Sequence, residues 1–233
     1  MRILVTGGTG TLGRAVVPKL VDAGHTVRVM TRRPRAAGGA ESVEADLATG
    51  AGISEAVSGI EVVVHLASAP YRGRYTVRVD VDGTGRLLTA ASQAGVRHLL
   101  FISIVGIDRV PWGYFRRKLA AEQVVRDGGA PWSVLRATQF HCLLDGALRA
   151  ASRLPALIGD AGIVAQPVDP RDVADAIVAR VAAGPSMSTE EFGGPEVLHF
   201  DQVVAQWLDA RRLRRPMLRM RLPGKFGRAV RSG

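Results

Sequence analysis

Tyr114 and Lys118 stand four positions apart in a stretch patterned as a helix, so they share one face of it. A phenol with an ordinary pKa of about 10 is a poor acid or base near neutrality. An ammonium beside it stabilises the phenolate and brings proton transfer into range. Lysine is scarce here, only Lys19, Lys118 and Lys225 among 31 basic residues, which makes its placement near a tyrosine conspicuous. Ser103 closes an apolar run eleven residues earlier and offers a hydroxyl for a substrate carbonyl. Together the three suggest proton exchange with a carbonyl-type oxygen. Other chemistries find little footing. The five histidines show no ligand spacing and the single Cys142 cannot build a zinc site, so no metal is expected.

Such a trio needs a second reactant, and the start of the chain supplies a place for one. Ile3, Leu4 and Val5 run into Thr6-Gly7-Gly8-Thr9-Gly10-Thr11-Leu12-Gly13, and a helical apolar pattern follows through Val16, Val17 and Leu20. Strand, glycine turn and helix are what a dinucleotide pyrophosphate requires. Gly7 allows the sharp turn, Gly10 lets backbone approach the phosphates, and Gly13 lets helix pack on sheet. The intervening Thr9, Thr11 and Leu12 fall in the same cradle. Lys118 would then also reach the nicotinamide ribose.

The cofactor's identity is read at the end of the second strand. The residue about 20 positions past the glycine turn meets the adenosine ribose, where a carboxylate favours a free 2′-hydroxyl. This chain has Thr31-Arg32-Arg33-Pro34-Arg35 and no acid. Arg32 and Arg33 suit a 2′-phosphate, so NADP is expected over NAD. Asp46, followed by Leu47, is placed to accept from an adenine amino group, or else to cap a turn.

The elements that must hold these groups alternate. Strands are expected near 2–6, 26–31, 42–45, 61–66, 98–103 and 132–136, with helices near 11–23, 53–58, 76–94 and 112–127. Continuous apolar runs such as Val62-Val63-Val64 and Leu99-Leu100-Phe101-Ile102 suit strands buried on both faces. The pattern predicts an α/β, Rossmann-type, doubly wound parallel sheet over residues 1–136. After Arg136 the order changes. Helices near 141–151, 170–183 and 201–212 and short strands near 163–168, 196–200 and 216–221 predict no regular continuation of the sheet. Residues 137–233 are therefore assigned to a smaller substrate-side lobe, intertwined with the first domain. Gln139, Phe140 and His141 fall at its rim as candidate substrate contacts.

A length of 233 residues with 47% hydrophobic content supports a full core. No apolar run approaches a membrane span, and the chain opens on a strand with no room for a signal peptide, which predicts a cytoplasmic protein. The net charge of +10 is concentrated: nine basic residues from Arg211 to Arg231 follow the last acidic one, Asp209. They alternate with apolar residues as folded structure does, which argues against nucleic acid and for a solvated face or anionic-ligand rim. The expected partner is a small molecule, with a homodimer open.

Taken together the motifs resemble the short-chain dehydrogenase/reductase superfamily, in its extended or atypical, NmrA-like branch. The resemblance rests on the glycine motif, Asp46-Leu47, His65-Leu66-Ala67-Ser68, Val79-Asp80-Val81-Asp82-Gly83-Thr84, Ser103-Ile104-Val105-Gly106 and the Tyr114–Lys118 spacing. Leu135-Arg136-Ala137-Thr138-Gln139-Phe140 and Gln166-Pro167-Val168-Asp169-Pro170-Arg171-Asp172 extend it through most of the chain. It implies NAD(P)H binding with Ala67 and Ser68 beside the cofactor, Tyr114 and Lys118 as a reductase pair, and backbone from Ala137 to Phe140 bordering nicotinamide and substrate. Asp80 stands where extended members often carry asparagine. The expected activity is NADPH-dependent reduction of a small carbonyl- or quinone-type compound. The alternatives are a non-catalytic NADP(H)-sensing regulator that binds a protein partner, and a nucleotide-sugar epimerase or dehydratase.

Overall fold

A computed structural model describes residues 1–34 and 39–231; Arg35 lies outside the described residues. In chain order the first half comprises β1 (Arg2–Thr6), α1 (Thr11–Asp22), β2 (Thr26–Thr31), β3 (Glu41–Glu44), α2 (Ile53–Val57) and β4 (Val62–His65). It continues with α3 (Arg74–Thr76), a π-helical segment (Val77–Asp82), α4 (Gly83–Gln93), β5 (His98–Ile104), α5 (Gly113–Asp127) and β6 (Trp132–Ala137). The second half holds α6 (His141–Ala151), β7 (Leu157–Gly159), β8 (Val164–Ala165), α7 (Pro170–Ala183), β9 (Thr189–Phe192), β10 (Leu198–His199), α8 (Phe200–Ala210), β11 (Met217–Arg219) and α9 (Gly224–Arg231).

Seven strands form one parallel sheet in the order β3-β2-β1-β4-β5-β6-β9. The apolar runs fill its centre: every residue of β4 is buried, as are six of the seven in β5. The chain winds from β1 outward through β2 and β3, then crosses back to β4, so direction reverses between β1 and β4. In open sheets a crevice for ligands opens outside the strand ends at that switch point. Helices cover both faces. Leu87, Leu88, Ala121 and Val125 of α4 and α5 pack on one side, and Val16, Leu20, Val173 and Ile177 of α1 and α7 on the other.

The expected break after Arg136 is corrected by two elements. α7 packs beside α1, and β9 adds a seventh parallel strand to β6. β9 reads Thr-Glu-Glu-Phe, a polar edge strand whose sequence carries no apolar alternation; Arg126 and Arg180 hold it through Thr189 and Glu190. α6, β7, β8, β10, α8 and β11 gather around a separate small core of Leu148, Leu157, Ala165, Val203 and Val204, with β8–β10 antiparallel and β7–β11 parallel. Among the described residues no helix is long and apolar enough to cross a membrane.

Candidate functional site

At the switch point lies a cavity of about 450 Å³. The glycine turn forms its floor through Gly7, Thr9 and Gly10, with Arg32 at the end of β2, Asp46 and Leu47 after β3, and Ala67 and Ser68 after β4. Gly7 has φ of +69°, and a Cβ on it would stand 2.7 Å from the Ala67 nitrogen. A Cβ on Gly13 would meet the Gly7 carbonyl oxygen at 2.3 Å and the Gly8 Cα at 2.4 Å. No side chain caps the N-terminus of α1, whose first N–H groups are thus left for an anion. The cradle therefore fits a dinucleotide pyrophosphate. Gly13→Ala is expected to destabilise the fold by about 1–3 kcal/mol through this overlap and to weaken NAD(P)H binding, checked by thermal melting and cofactor fluorescence.

Other expected cofactor contacts are placed differently. Thr11 is exposed at the first turn of α1, and Leu12 is buried in the sheet core. Arg33 is exposed and does not line the cavity; only Arg32 of the pair does, its Nη1 donating to the Tyr75 hydroxyl at 3.0 Å. Asp46 both lines the cavity and accepts from the Ala48 N–H through Oδ1 at 2.8 Å, so the turn-capping role is real. Arg72 and Tyr75, in the segment after β4, also line it. Sequence reading missed both because that segment has no fixed spacing from the glycine motif.

Tyr114 sits in the first turn of α5. Its hydroxyl is 3.1 Å from Ser68 Oγ, and Ser68 donates to Asp80 Oδ2 at 2.5 Å. Lys118, one turn on, is 5% exposed, with Nζ 4.2 Å from the Phe101 ring centroid. Burial pushes its pKa down to about 8, while the Asp80 and Glu122 carboxylates work the other way. The phenol itself is raised, chiefly by burial, with the Asp80 and Tyr71 charges adding to the rise; a proton given by Ser68 would oppose it. This differs from the expectation that Lys118 would lower it: the ammonium turns toward Phe101 and the carboxylates. Tyr71 stacks on Tyr114 at 5.1 Å and on Trp112 at 5.3 Å, making an aromatic mouth that sequence reading missed.

Ser103 requires a correction. It is 2% exposed, lines neither cavity, and lies close enough to Glu122 to help hold that carboxyl low. Alternation along β5 explains this: Ser103 faces α5, and its neighbour Ile104 instead reaches the substrate side. Glu122 is fully buried and takes two bonds from Arg136, both at 2.9 Å, clamping α5 to β6 and thereby fixing the helix of Tyr114 and Lys118.

A second cavity of about 200 Å³ adjoins this helix through Phe115. Its walls are Ile104 at the end of β5 and Val105, Gly106 and Val110 after it, with Val164, Ala165, Val197 and Val230 from the small lobe. The polar groups are Thr138, Gln139 and Gln166. Thr138 Oγ1 is buried without a hydrogen-bond partner, whereas Gln139 Oε1 accepts from the Gln166 N–H at 3.3 Å. Of the three expected substrate contacts, Gln139 alone lines this cavity. Phe140 packs into the sheet core and bridges to Val168. His141 is exposed at the start of α6, beside Asp169, whose carboxyl is held at about 2 chiefly by Arg171. A phenylalanine is drawn into the core because its apolar area outweighs a rim position.

Comparison with known proteins agrees with this geometry. The sequence profile of a family described as NAD(P)H-binding matches residues 7–183. A reductase from Streptomyces griseus, named for (4-alkanoyl-5-oxo-2,5-dihydrofuran-3-yl)methyl phosphate, is 35% identical over 88% of this chain and 72% of its own. The photosystem II assembly factor Ycf39 of Trieres chinensis is 29% identical over 75% of this chain and 57% of its own. A short-chain dehydrogenase/reductase superfamily protein from Agrobacterium tumefaciens, solved with bound NAD, superposes with a TM-score of 0.76 at 25% identity, covering 96% of this chain and 86% of that one. MoeE5 in complex with UDP-glucuronic acid and NAD shares the fold at a TM-score of 0.81 and 22% identity, over 94% and 85% of the two chains. By profile, by sequence and by fold, the chain belongs to the NAD(P)H-binding family of the short-chain dehydrogenase/reductase superfamily.

Proposed function

We propose that this protein is an NADPH-dependent reductase of a small, largely apolar carbonyl- or quinone-type compound. The observation that carries the reading is the position of Tyr114. Its hydroxyl bonds Ser68 on the wall of the dinucleotide-sized cavity, and the next residue, Phe115, walls the second one. A cofactor held by the glycine turn would supply hydride. The chain's own residues do the rest. Tyr114 gives a proton to the substrate oxygen, and Lys118, one turn further along α5, is assigned to the ribose. Thr138 offers its unpartnered hydroxyl to the substrate, while the valines around it exclude water. The Streptomyces relative's name records reduction of a ring bearing a phosphate. The walls of this second cavity offer apolar and amide groups instead, which supports a neutral substrate here.

The phosphate of NADPH is assigned to Arg32, with Arg72 on the same cavity wall. Arg32→Ala is expected to weaken NADPH about 10- to 100-fold, the range for one lost charge-assisted bond, and to leave NADH almost unchanged. Steady-state oxidation of both cofactors, with quinones, aldehydes and ketones as acceptors, tests the cofactor and the reaction together. Turnover preferring NADPH supports the proposal. The assembly-factor relatives favour a second reading, a cofactor-binding protein that acts on a partner. NADPH binding with no acceptor reduced would select it.

A further inference from the structure

We propose that Asp80, acting through the Ser68 hydroxyl, fixes the direction of the Tyr114 proton and holds that tyrosine as the acid of the site rather than its base. A serine hydroxyl has one proton to give. Ser68 gives it to Asp80 Oδ2 at 2.5 Å, so the 3.1 Å contact with Tyr114 is donated by the tyrosine. The other carboxylate oxygen, Oδ1, accepts from the Ala69 N–H at 2.8 Å, which locks the acceptor in place.

The backbone is built to put this carboxylate there. Asp80 is 2% exposed and lies in the π-helical segment Val77–Asp82, a geometry that is rare and frequently found at functional sites. Its carbonyl accepts from Thr84 Oγ1 at 2.7 Å, and Thr84 in turn meets His65 Nε2 at 2.9 Å. The titratable groups around Tyr114 are Asp80 from this segment, Tyr71 from the segment after β4 and, on its own helix, Lys118. Lys118 is turned to Phe101 and to the carboxylates of Asp80 and Glu122. A phenolate at Tyr114 would face the Asp80 charge, and Ser68, already committed, would have no proton to offer it.

The inference rests on Tyr114 being the proton donor in the proposed reduction, and says which protonation state the resting site holds: the neutral phenol with which a reduction starts. In reduction the tyrosine O–H bond breaks as the substrate oxygen gains the proton. The phenolate is then re-protonated from water entering along the cavity that Ser68 lines. Oxidation of an alcohol would need the phenolate as its starting form, which this arrangement disfavours. Asp80 and Ser68 are positioning residues for Tyr114.

The test needs no turnover. The chain has only three tyrosines, so tyrosinate absorbance in alkaline solution, compared with Tyr114→Phe, isolates the midpoint of Tyr114. Asp80→Asn is expected to lower that midpoint by about one pH unit, the effect of removing one neighbouring like charge. Ser68→Ala, which takes away the acceptor of the tyrosine's proton, is expected to lower it too, and decides the matter by itself where Asp80→Asn fails to fold. An unchanged midpoint in Asp80→Asn overturns the proposal. So does a shift in Asp80→Asn with none in Ser68→Ala, because Asp80 would then act through space alone. A protein that titrates as expected yet reduces no acceptor overturns the proposed reaction and leaves the Asp80–Ser68–Tyr114 chain standing.

Discussion

Tyr114→Phe is expected to slow NADPH-dependent reduction about 10²- to 10⁴-fold while leaving the cofactor bound. That range is what a positioned proton donor contributes, and corresponds to about 3–5 kcal/mol of transition-state stabilisation. The substitution removes one oxygen and keeps the ring, so the contacts to Tyr71 at 5.1 Å and Phe115 at 6.2 Å persist. Ser68 keeps its bond to Asp80 and needs no new partner. The glycine turn and Arg32, which would hold the cofactor, are untouched. Single-turnover kinetics with NADPH, together with a fluorescence binding curve, separate the two effects. Full activity in the variant would remove Tyr114 from the reaction, and lost cofactor binding would make it a binding residue instead.

Acidification from about pH 7 to about pH 5 is expected to cost the folded state about 4 kcal/mol from two histidines. His65 is completely buried between the hydroxyls of Thr6 at 2.6 Å and Thr84 at 2.9 Å, and burial, aided by the Lys118 charge, drives its pKa down to about 3. His98, bonded to Ser133 at 3.0 Å, falls to about 4 through burial and the Arg180 charge. In the unfolded chain each titrates near its ordinary value of 6.5. Below that pH the unfolded chain takes up protons that the folded one refuses until far lower. The stabilising contribution is thus whole above about pH 6.5 and drains away as pH falls, by about 2 kcal/mol per histidine at pH 5. Urea denaturation at the two pH values measures it. A stability that does not change between them would mean that both imidazoles take up protons in the fold as readily as in the unfolded chain, and a loss of only about 2 kcal/mol that one of them does.

The two predictions draw on residues that differ in how far the linear sequence exposed them. Tyr114 was visible because a tyrosine and a rare lysine at helical spacing are a local pattern. His65 was visible only as a strand residue. Its depressed pKa arises from burial, among neighbours such as the Phe101 ring 5.4 Å away, and from the Lys118 charge, both brought in by β5 and α5. The same division holds in the fold. β1, β4 and β5 were legible because strands buried on both faces must be continuous apolar runs. β9 was not, since a polar edge strand is defined by its partner β6 and by the arginines that grip it.

The residues alone determined the glycine cradle, the succession of the parallel core strands along the chain, the absence of an acid after β2 and the helix carrying Tyr114 and Lys118. Each is a matter of short-range periodicity or of a backbone conformation that few residue types permit. The tertiary structure decided which way side chains face and which distant segments meet. It turned Ser103 toward Glu122, put Arg32 rather than Arg33 on the cavity wall, sent Phe140 into the core, and set Asp80 against Ser68 through a π-helical turn. Those outcomes depend on packing between elements tens of residues apart, where a shift of one position along a strand or helix exchanges buried for exposed, and no local pattern encodes that choice.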